Sequence, residues 1–160
     1  MQNSIKLIFY FLFFSVNMKA IIIYNTATGN TRQIAKKIRE ILEKYNHKCD
    51  LYRDKEIKDE IKANPQYFDS YELICLGSCT HGNRPAKSFI KFMSTIETYD
   101  LTGKSLVCFS SSLGPEGWKE TCNEIKEKFS EMNHLGNFGC VSKKYNSTIR
   151  NFEEFVKTLN

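Results

Sequence analysis

Apolar residues along the chain fall into two alternating kinds of run. The first kind is short and continuous: Ala20-Ile21-Ile22-Ile23-Tyr24, Tyr71-Glu72-Leu73-Ile74-Cys75-Leu76-Gly77, Ser105-Leu106-Val107-Cys108-Phe109 and Phe138-Gly139-Cys140-Val141. Such blocks, rich in β-branched and aromatic residues and bounded by polar turns, read as strands buried on both faces. Lys48-Cys49-Asp50-Leu51-Tyr52 makes a shorter fifth strand. The second kind recurs at three- and four-residue steps, the spacing of one helix face. Ile34, Ala35, Ile38, Ile41, Leu42 and Tyr45 form the first such stripe, and Phe89, Ile90, Met93 and Ile96 the next, with Pro85 suited to that helix's first turn. Trp118, Cys122, Ile125, Phe129 and Met132 follow, then Phe152, Phe155, Val156 and Leu159. Residues 53–64, with Ile57 and Ile61 on one side and Pro65 after them, read as a short helix or loop on an edge.

Strands alternating with helices imply an α/β domain, a doubly wound five-stranded parallel sheet covered on both faces. Right-handed crossovers make 2-1-3-4-5 the economical strand order. Its ligand crevice lies at the carboxyl ends of strands one and three, where the order reverses. Three polar segments fall on that edge: Thr26 to Thr31, Ser78 to Pro85, and Ser110 to Gly117.

Length and composition narrow the picture. At 160 residues and 41% apolar content the chain supports one well-buried domain, from residue 18 to 160. The formal charge of +5 becomes +4 without residues 1–17, which hold Lys6 and no acid. Lysines interleave with acids along the helices, as in Lys36, Lys37, Arg39 and Glu40, so solvated faces explain them better than a nucleic-acid groove, and no nucleic-acid partner is expected. Six cysteines, Cys49, Cys75, Cys79, Cys108, Cys122 and Cys140, offer no C-x-x-C pair and no metal-ligand spacing; three sit within strand-like runs, which favours a reduced, cytoplasmic protein. Residues 1–17 stand apart as an apolar extension around Leu7 to Phe14. They fit a reading frame extended upstream of Met18, a signal or membrane anchor, or a peptide packed on the domain. Membrane contact follows only if that segment is real.

The first polar segment, Thr26-Ala27-Thr28-Gly29-Asn30-Thr31, joins the end of the first strand to the start of a helix. Unpaired N–H groups and the positive end of the helix dipole suit an anion there. Threonine hydroxyls and an asparagine amide add donors, and Gly29 lets backbone approach a ligand closely. A phosphate is the natural guest. A helix cap built from Thr28 or Asn30 would explain the same residues without chemistry, and the two readings are compatible.

This segment resembles the phosphate loop of the flavodoxin family, (S/T)-x-T-G-N-T after the first strand, which holds the phosphate of FMN. The second segment, Gly77-Ser78-Cys79-Thr80-His81-Gly82-Asn83, is similar to that family's second loop, and the resemblance extends from residue 18 to about 158. It implies a flavodoxin-like fold and FMN as cofactor, held by Thr26, Ala27, Thr28, Gly29, Asn30 and Thr31. Ser78, Cys79, Thr80, His81, Gly82 and Asn83 would run along one side of the ring and Ser110, Ser111, Ser112, Leu113 and Gly114 along the other. Two departures matter. The places where flavodoxins usually stack aromatic residues on the ring hold His81 and Leu113, and Trp118 is as well suited to the core as to a flavin. His81, Arg84 and Lys87, if close to the ring, would make reduction easier than in an acidic pocket.

Competing chemistries lack their residues. G-x-G-x-x-G and the Walker motif are missing, no aspartate ends the first or third strand as phospho-acceptor signalling needs, and Cys79 and Arg84 are spaced C-x4-R where a phosphatase of this topology needs C-x5-R. Cys79 is either a redox thiol or an incidental loop cysteine. The expected function is electron transfer by an FMN-binding flavoprotein, to redox partner proteins or a small electron acceptor. The alternatives are an FMN-dependent oxidoreductase of the NAD(P)H/quinone type and a flavin-free interaction module.

Overall fold

The computed structural model describes residues 17–159, so the apolar stretch around Leu7 to Phe14 lies outside the described residues. The order of elements is β1 (Lys19–Tyr24), α1 (Asn30–Lys44), β2 (Lys48–Arg53), α2 (Asp54–Ala63), β3 (Leu73–His81), β4 (Arg84–Pro85), α3 (Lys87–Ile96), β5 (Ser105–Ser112), α4 (Gly117–Lys128), β6 (Asn133–Val141) and α5 (Tyr145–Lys157). Five strands pair in parallel in the order β2-β1-β3-β5-β6. That is the expected 2-1-3-4-5 arrangement, with the two-residue β4 added antiparallel to the end of β3.

Strict alternation inside the continuous apolar runs divides the core in two. Ile21, Ile23, Ile74, Leu76, Leu106 and Cys108 face one side, where Ile57 and Ile61 of α2, Phe89 and Phe92 of α3 and Cys122 and Ile125 of α4 cover them. Ala20, Ile22, Leu73, Cys75, Val107 and Phe109 face the other, under Ile34, Ile38 and Leu42 of α1 and Phe152 and Val156 of α5. Each large aliphatic side chain removed from water in this way contributes about 1.5–3 kcal/mol, which is why the charged helices stay docked.

Several segments differ from expectation, among them β6, which starts at Asn133 and not at Phe138. β3 runs through Ser78, Cys79 and Thr80 to His81, and β5 through Ser110 and Ser111 to Ser112, although their polarity suggested loops. Their hydroxyls are satisfied locally, so burial costs little: Ser110 Oγ donates to the Ser78 carbonyl at 2.7 Å, and Ser78 Oγ accepts from the Ala86 amide at 3.0 Å. Pro85 is not in a helix. It pairs with Thr80 in β4, where a residue lacking an N–H is tolerated at a sheet edge, and α3 begins at Lys87. Gly82 and Asn83, at φ 56° and 60°, make the two-residue turn between β3 and β4. Two successive positive φ values define the primed hairpin turn, and glycine and asparagine adopt it most readily. On α3 the buried face holds Phe92 fully, with Ile90 only partly covered.

Candidate functional site

The connections from β1 and β3 diverge at the carboxyl ends of these paired strands, because β1 leads to β2 on one side and β3 leads to β5 on the other. Backbone bonds pin the loop after β1 to β3. The Asn25 amide donates to the Gly77 carbonyl at 2.8 Å, and the Cys79 amide to the Asn25 carbonyl at 3.2 Å. The Asn25 side chain, itself buried, donates to Asp54 Oδ2 at 2.8 Å and Ser88 Oγ at 3.1 Å, tying together the starts of α2 and α3.

The loop then turns on Thr26, whose Oγ1 accepts from the Gly29 amide at 3.0 Å while its carbonyl accepts from the Arg53 guanidinium at 2.9 Å. Gly29 stands at φ 94° as the residue capping α1, a conformation that favours glycine, and a Cβ there would meet only open space. The first intrahelical bond is from Gln33 N to the Gly29 carbonyl at 3.1 Å. Ahead of it, the amides of Asn30, Thr31 and Arg32 open the helix, and no side chain caps them. Thr28 and Asn30 therefore do not act as helix caps. Nor does any acid stand in the first turn of α1. The positive end of this helix is left open to an anion.

These elements enclose a cleft of about 400 Å³ lined by Ala27, Thr28, Asn30, Cys79, Thr80, His81, Gly82, Ser111, Ser112 and Leu113. All ten belong to the residues singled out from sequence, and all three polar segments contribute. The remaining candidates stand behind the wall or beyond its rim. Thr26 and Gly29 form the turn itself, and Ser78 and Ser110 bind backbone inside the sheet. Thr31 is fully buried with its hydroxyl 2.9 Å from Ser111 Oγ, so its side chain faces the sheet and only its amide belongs to the helix start. Asn83 lies in the hairpin turn, and Gly114, whose carbonyl accepts from Ser112 Oγ at 2.6 Å, lies past the tip.

Several contributors carry no sequence motif. Tyr145, the first residue of α5, donates its hydroxyl to Asn30 Oδ1 at 2.8 Å, which leaves the Asn30 amide nitrogen as the free donor. Thr121 joins Thr80 at 2.9 Å, and Ser110 joins it at 3.0 Å, so a knot of hydroxyls stiffens the end of β3. Only a fold places these residues together.

The second wall carries a thiol beside an imidazole. Cys79 Sγ lies 3.5 Å from His81 Nε2 and donates to Asn25 Oδ1 at 3.4 Å. Burial pushes this thiol above its ordinary pKa, with partial relief from backbone N–H groups, including that of Ala27, and from Arg53. It is thus a neutral hydrogen-bonding group at neutral pH. Arg84 does not face the cleft. It makes a two-pronged ion pair with Glu124, at 3.0 and 2.6 Å, so its proposed influence on a bound ring is lost. Trp118 lies elsewhere too: a Cβ on Gly139 of β6 would fall 2.3 Å from its ring, and it lines a separate groove of about 470 Å³ against β6 and α5.

The cleft thus joins the open amides at the start of α1 and the Thr28 side chain to the ends of β3 and β5. The profile of the flavodoxin domain matches residues 21–158. The chain belongs to the flavodoxin domain family. Among solved structures, this flavodoxin-domain chain is similar to a flavodoxin from the domain Archaea, at 24% identity and TM-score 0.70 over 89% of this chain and 96% of that one. It is also similar to oxidised Flavodoxin 2 from Bacillus cereus, at 23% identity and TM-score 0.68 over 88% and 97% of the two chains. Rubredoxin oxygen:oxidoreductase from Desulfovibrio gigas contains the same fold, at 14% identity and TM-score 0.75, over 88% of this chain and 35% of that larger one. Among the described residues no helix is long and apolar enough to cross a membrane.

Proposed function

We propose that the chain binds FMN noncovalently and serves as an electron carrier between redox partners. The carrying observation is the uncapped start of α1, which opens onto the same cleft as the ends of β3 and β5. FMN, when bound, supplies reversible electron uptake and release. The chain's own residues divide the remaining work. The amides of Asn30, Thr31 and Arg32, the Thr28 hydroxyl and the Asn30 side-chain amide hold the phosphate. Cys79, Thr80 and Gly82 line one side of the ring and Ser111, Ser112 and Leu113 the other, with His81 offering a flat face in place of an aromatic ring. Six free thiols support a reducing compartment such as the cytoplasm.

One feature favours a second reading, an FMN-dependent reductase of quinone-type acceptors. Among the described residues no Phe, Tyr or Trp lines the cleft, so a planar acceptor has access to one side of the ring. The deciding experiment is FMN titration by fluorescence quenching, followed by absorption spectra during stepwise reduction of the complex. Reduction in two resolved one-electron steps, with little turnover of NAD(P)H alone, is the expected result. A single two-electron bleaching with rapid NAD(P)H turnover would shift the assignment to the reductase, and a protein that leaves FMN fluorescence unquenched would end the flavin reading altogether.

A further inference from the structure

The domain's excess positive charge is not spread over its surface. The carboxyl edge of the sheet, taken from the last residue of each parallel strand through the first turn of the helix after it, comprises residues 24–33, 53–57, 81–90, 112–120 and 141–148. Those segments hold eight cations and four acids, while the rest of the described chain holds fourteen of each. Arg84 is held by Glu124, which lies just outside these segments; with that acid counted, the edge still keeps three of the domain's four net positive charges.

Helix stability does not explain this placement. A cation in the first turn opposes the helix dipole and costs about 0.3–1 kcal/mol, and acids are favoured there instead. Yet α1, α3 and α5 have no acid in their first turns. Arg32 and Lys87 occupy two of those turns, and Lys143 and Lys144 immediately precede the third. All four are exposed, and no ion pair ties any of them to an acid among the described residues. Tyr145 bonded to Asn30 brings the start of α5, with its two lysines, beside the start of α1. A phosphate dianion in the cradle would offset two of the edge's three net positive charges, and the α1 start alone serves that purpose. Lys87, at the head of a different helix, lies outside it.

On the same edge stands Leu113, 88% exposed, a large hydrophobic side chain that lines the cleft. An exposed apolar tip on an edge of like charge has the anatomy of a docking site, in which the charges steer and the apolar contact holds. Among the described residues the cleft walls offer one imidazole, that of His81, and no Phe, Tyr or Trp on which successive bases could stack, which speaks against single-stranded nucleic acid.

Resting on the flavoprotein reading for its purpose, we propose that this edge docks an electron-transfer protein with an acidic face. Arg32, Lys87, Lys143 and Lys144 supply the complementary charge, and Leu113 the apolar contact.

The test measures binding of an acidic carrier of the rubredoxin type and of basic cytochrome c, at low and at physiological salt, to the apo and FMN-loaded protein. The acidic carrier should bind and cytochrome c should not. Lys87→Glu with Lys143→Glu and Lys144→Glu should weaken the acidic carrier at least about tenfold at low salt. The control, Lys48→Glu with Lys62→Glu and Lys126→Glu, makes the same change in net charge at the opposite edge and should weaken it less than about twofold. Equal losses in both triple variants, a preference for cytochrome c, or a short oligonucleotide that binds as tightly and is lost with the same three lysines would each overturn the proposal. Because docking is read on the apo protein as well, failure to take up FMN sinks the cofactor assignment without deciding this one.

Discussion

Two threonines of one motif should fail in opposite ways. Thr28 is exposed and lines the cleft with its hydroxyl uncommitted, whereas Thr31 is fully buried with its hydroxyl 2.9 Å from Ser111. Valine matches threonine in shape, so each substitution removes a hydroxyl and little else. Thr28→Val loses one charge-assisted bond to phosphate, worth about 1.5–3 kcal/mol, which is about a 10- to 140-fold larger dissociation constant for FMN. Its stability should change by less than about 0.5 kcal/mol, as expected at an exposed position without a structural bond. Thr31→Val loses the bond to Ser111. Because Ser111 lines the cleft, water can replace that partner, so the cost stays near about 1 kcal/mol, or about 2–4 °C in Tm. FMN affinity in this variant should move less than about threefold, since the Thr31 amide remains. Fluorescence titration reads the affinities and urea unfolding reads the stabilities. A Thr31→Val protein of unchanged stability with FMN binding weakened at least tenfold would refute the division of roles drawn from the buried contact.

Two more outcomes follow from packing and charge. A Cβ on Gly77 would fall 2.1 Å from the Phe109 ring, which is fully buried and has nowhere to move, so Gly77→Ala should cost about 1–3 kcal/mol; an unshifted thermal midpoint would show that the ring yields. Burial lowers the pKa of His47, with Glu72 opposing, and its Nδ1 accepts from the Met18 amide while Nε2 stays buried without a partner. The folded state therefore binds this proton less readily than the unfolded chain, so stability is full above about pH 6.5 and declines as the pH falls below it. His47→Asn keeps an acceptor for Met18 and cannot titrate; its urea midpoint should vary less than that of the unaltered protein between about pH 7 and 5, and parallel curves would remove His47 as the cause.

The legible parts of this fold were those in which local and global preferences agree. β1, β3 and β5 announce themselves as continuous apolar runs because both their faces are buried, and α1 shows because one face is. The phosphate cradle is a local object, a strand end, a turn and a helix start, so six consecutive residues suffice to suggest it. Ser78 and Ser110 misled because polarity was taken for exposure, whereas each hydroxyl finds backbone inside the sheet. The Gly82-Asn83 pair was readable as a hairpin turn, since both residues tolerate positive φ, but Pro85 drew attention to the helix instead. The first half of β6 was hidden by its polar residues and by the irregular register opposite Leu106 and Val107. No motif encodes the direction in which Thr31 points. Charge was misjudged for a further reason. Averaged along helices the lysines look balanced by acids, and only the topology, which brings every helix start to one edge, reveals that most of the excess stands there.

That edge carries positive potential of two different ranges, and salt should separate them. Amide hydrogens at the α1 start act through hydrogen bonds, within contact distance of an anion, where mobile ions cannot intervene. The exposed cations of α1, α3 and the loop before α5 act across solvent, where the screening length is about 8 Å at physiological salt and about 30 Å at 0.01 M. Raising salt between those limits should therefore slow capture of an acidic partner by about tenfold or more while leaving the FMN dissociation constant within about threefold. If both fell together, the phosphate would be held by the lysines and arginine and not by the backbone, and the helix start would lose its assigned role. If neither fell, the cations would be too dispersed to steer anything, and their unfavourable placement against three helix dipoles would have no explanation in this structure.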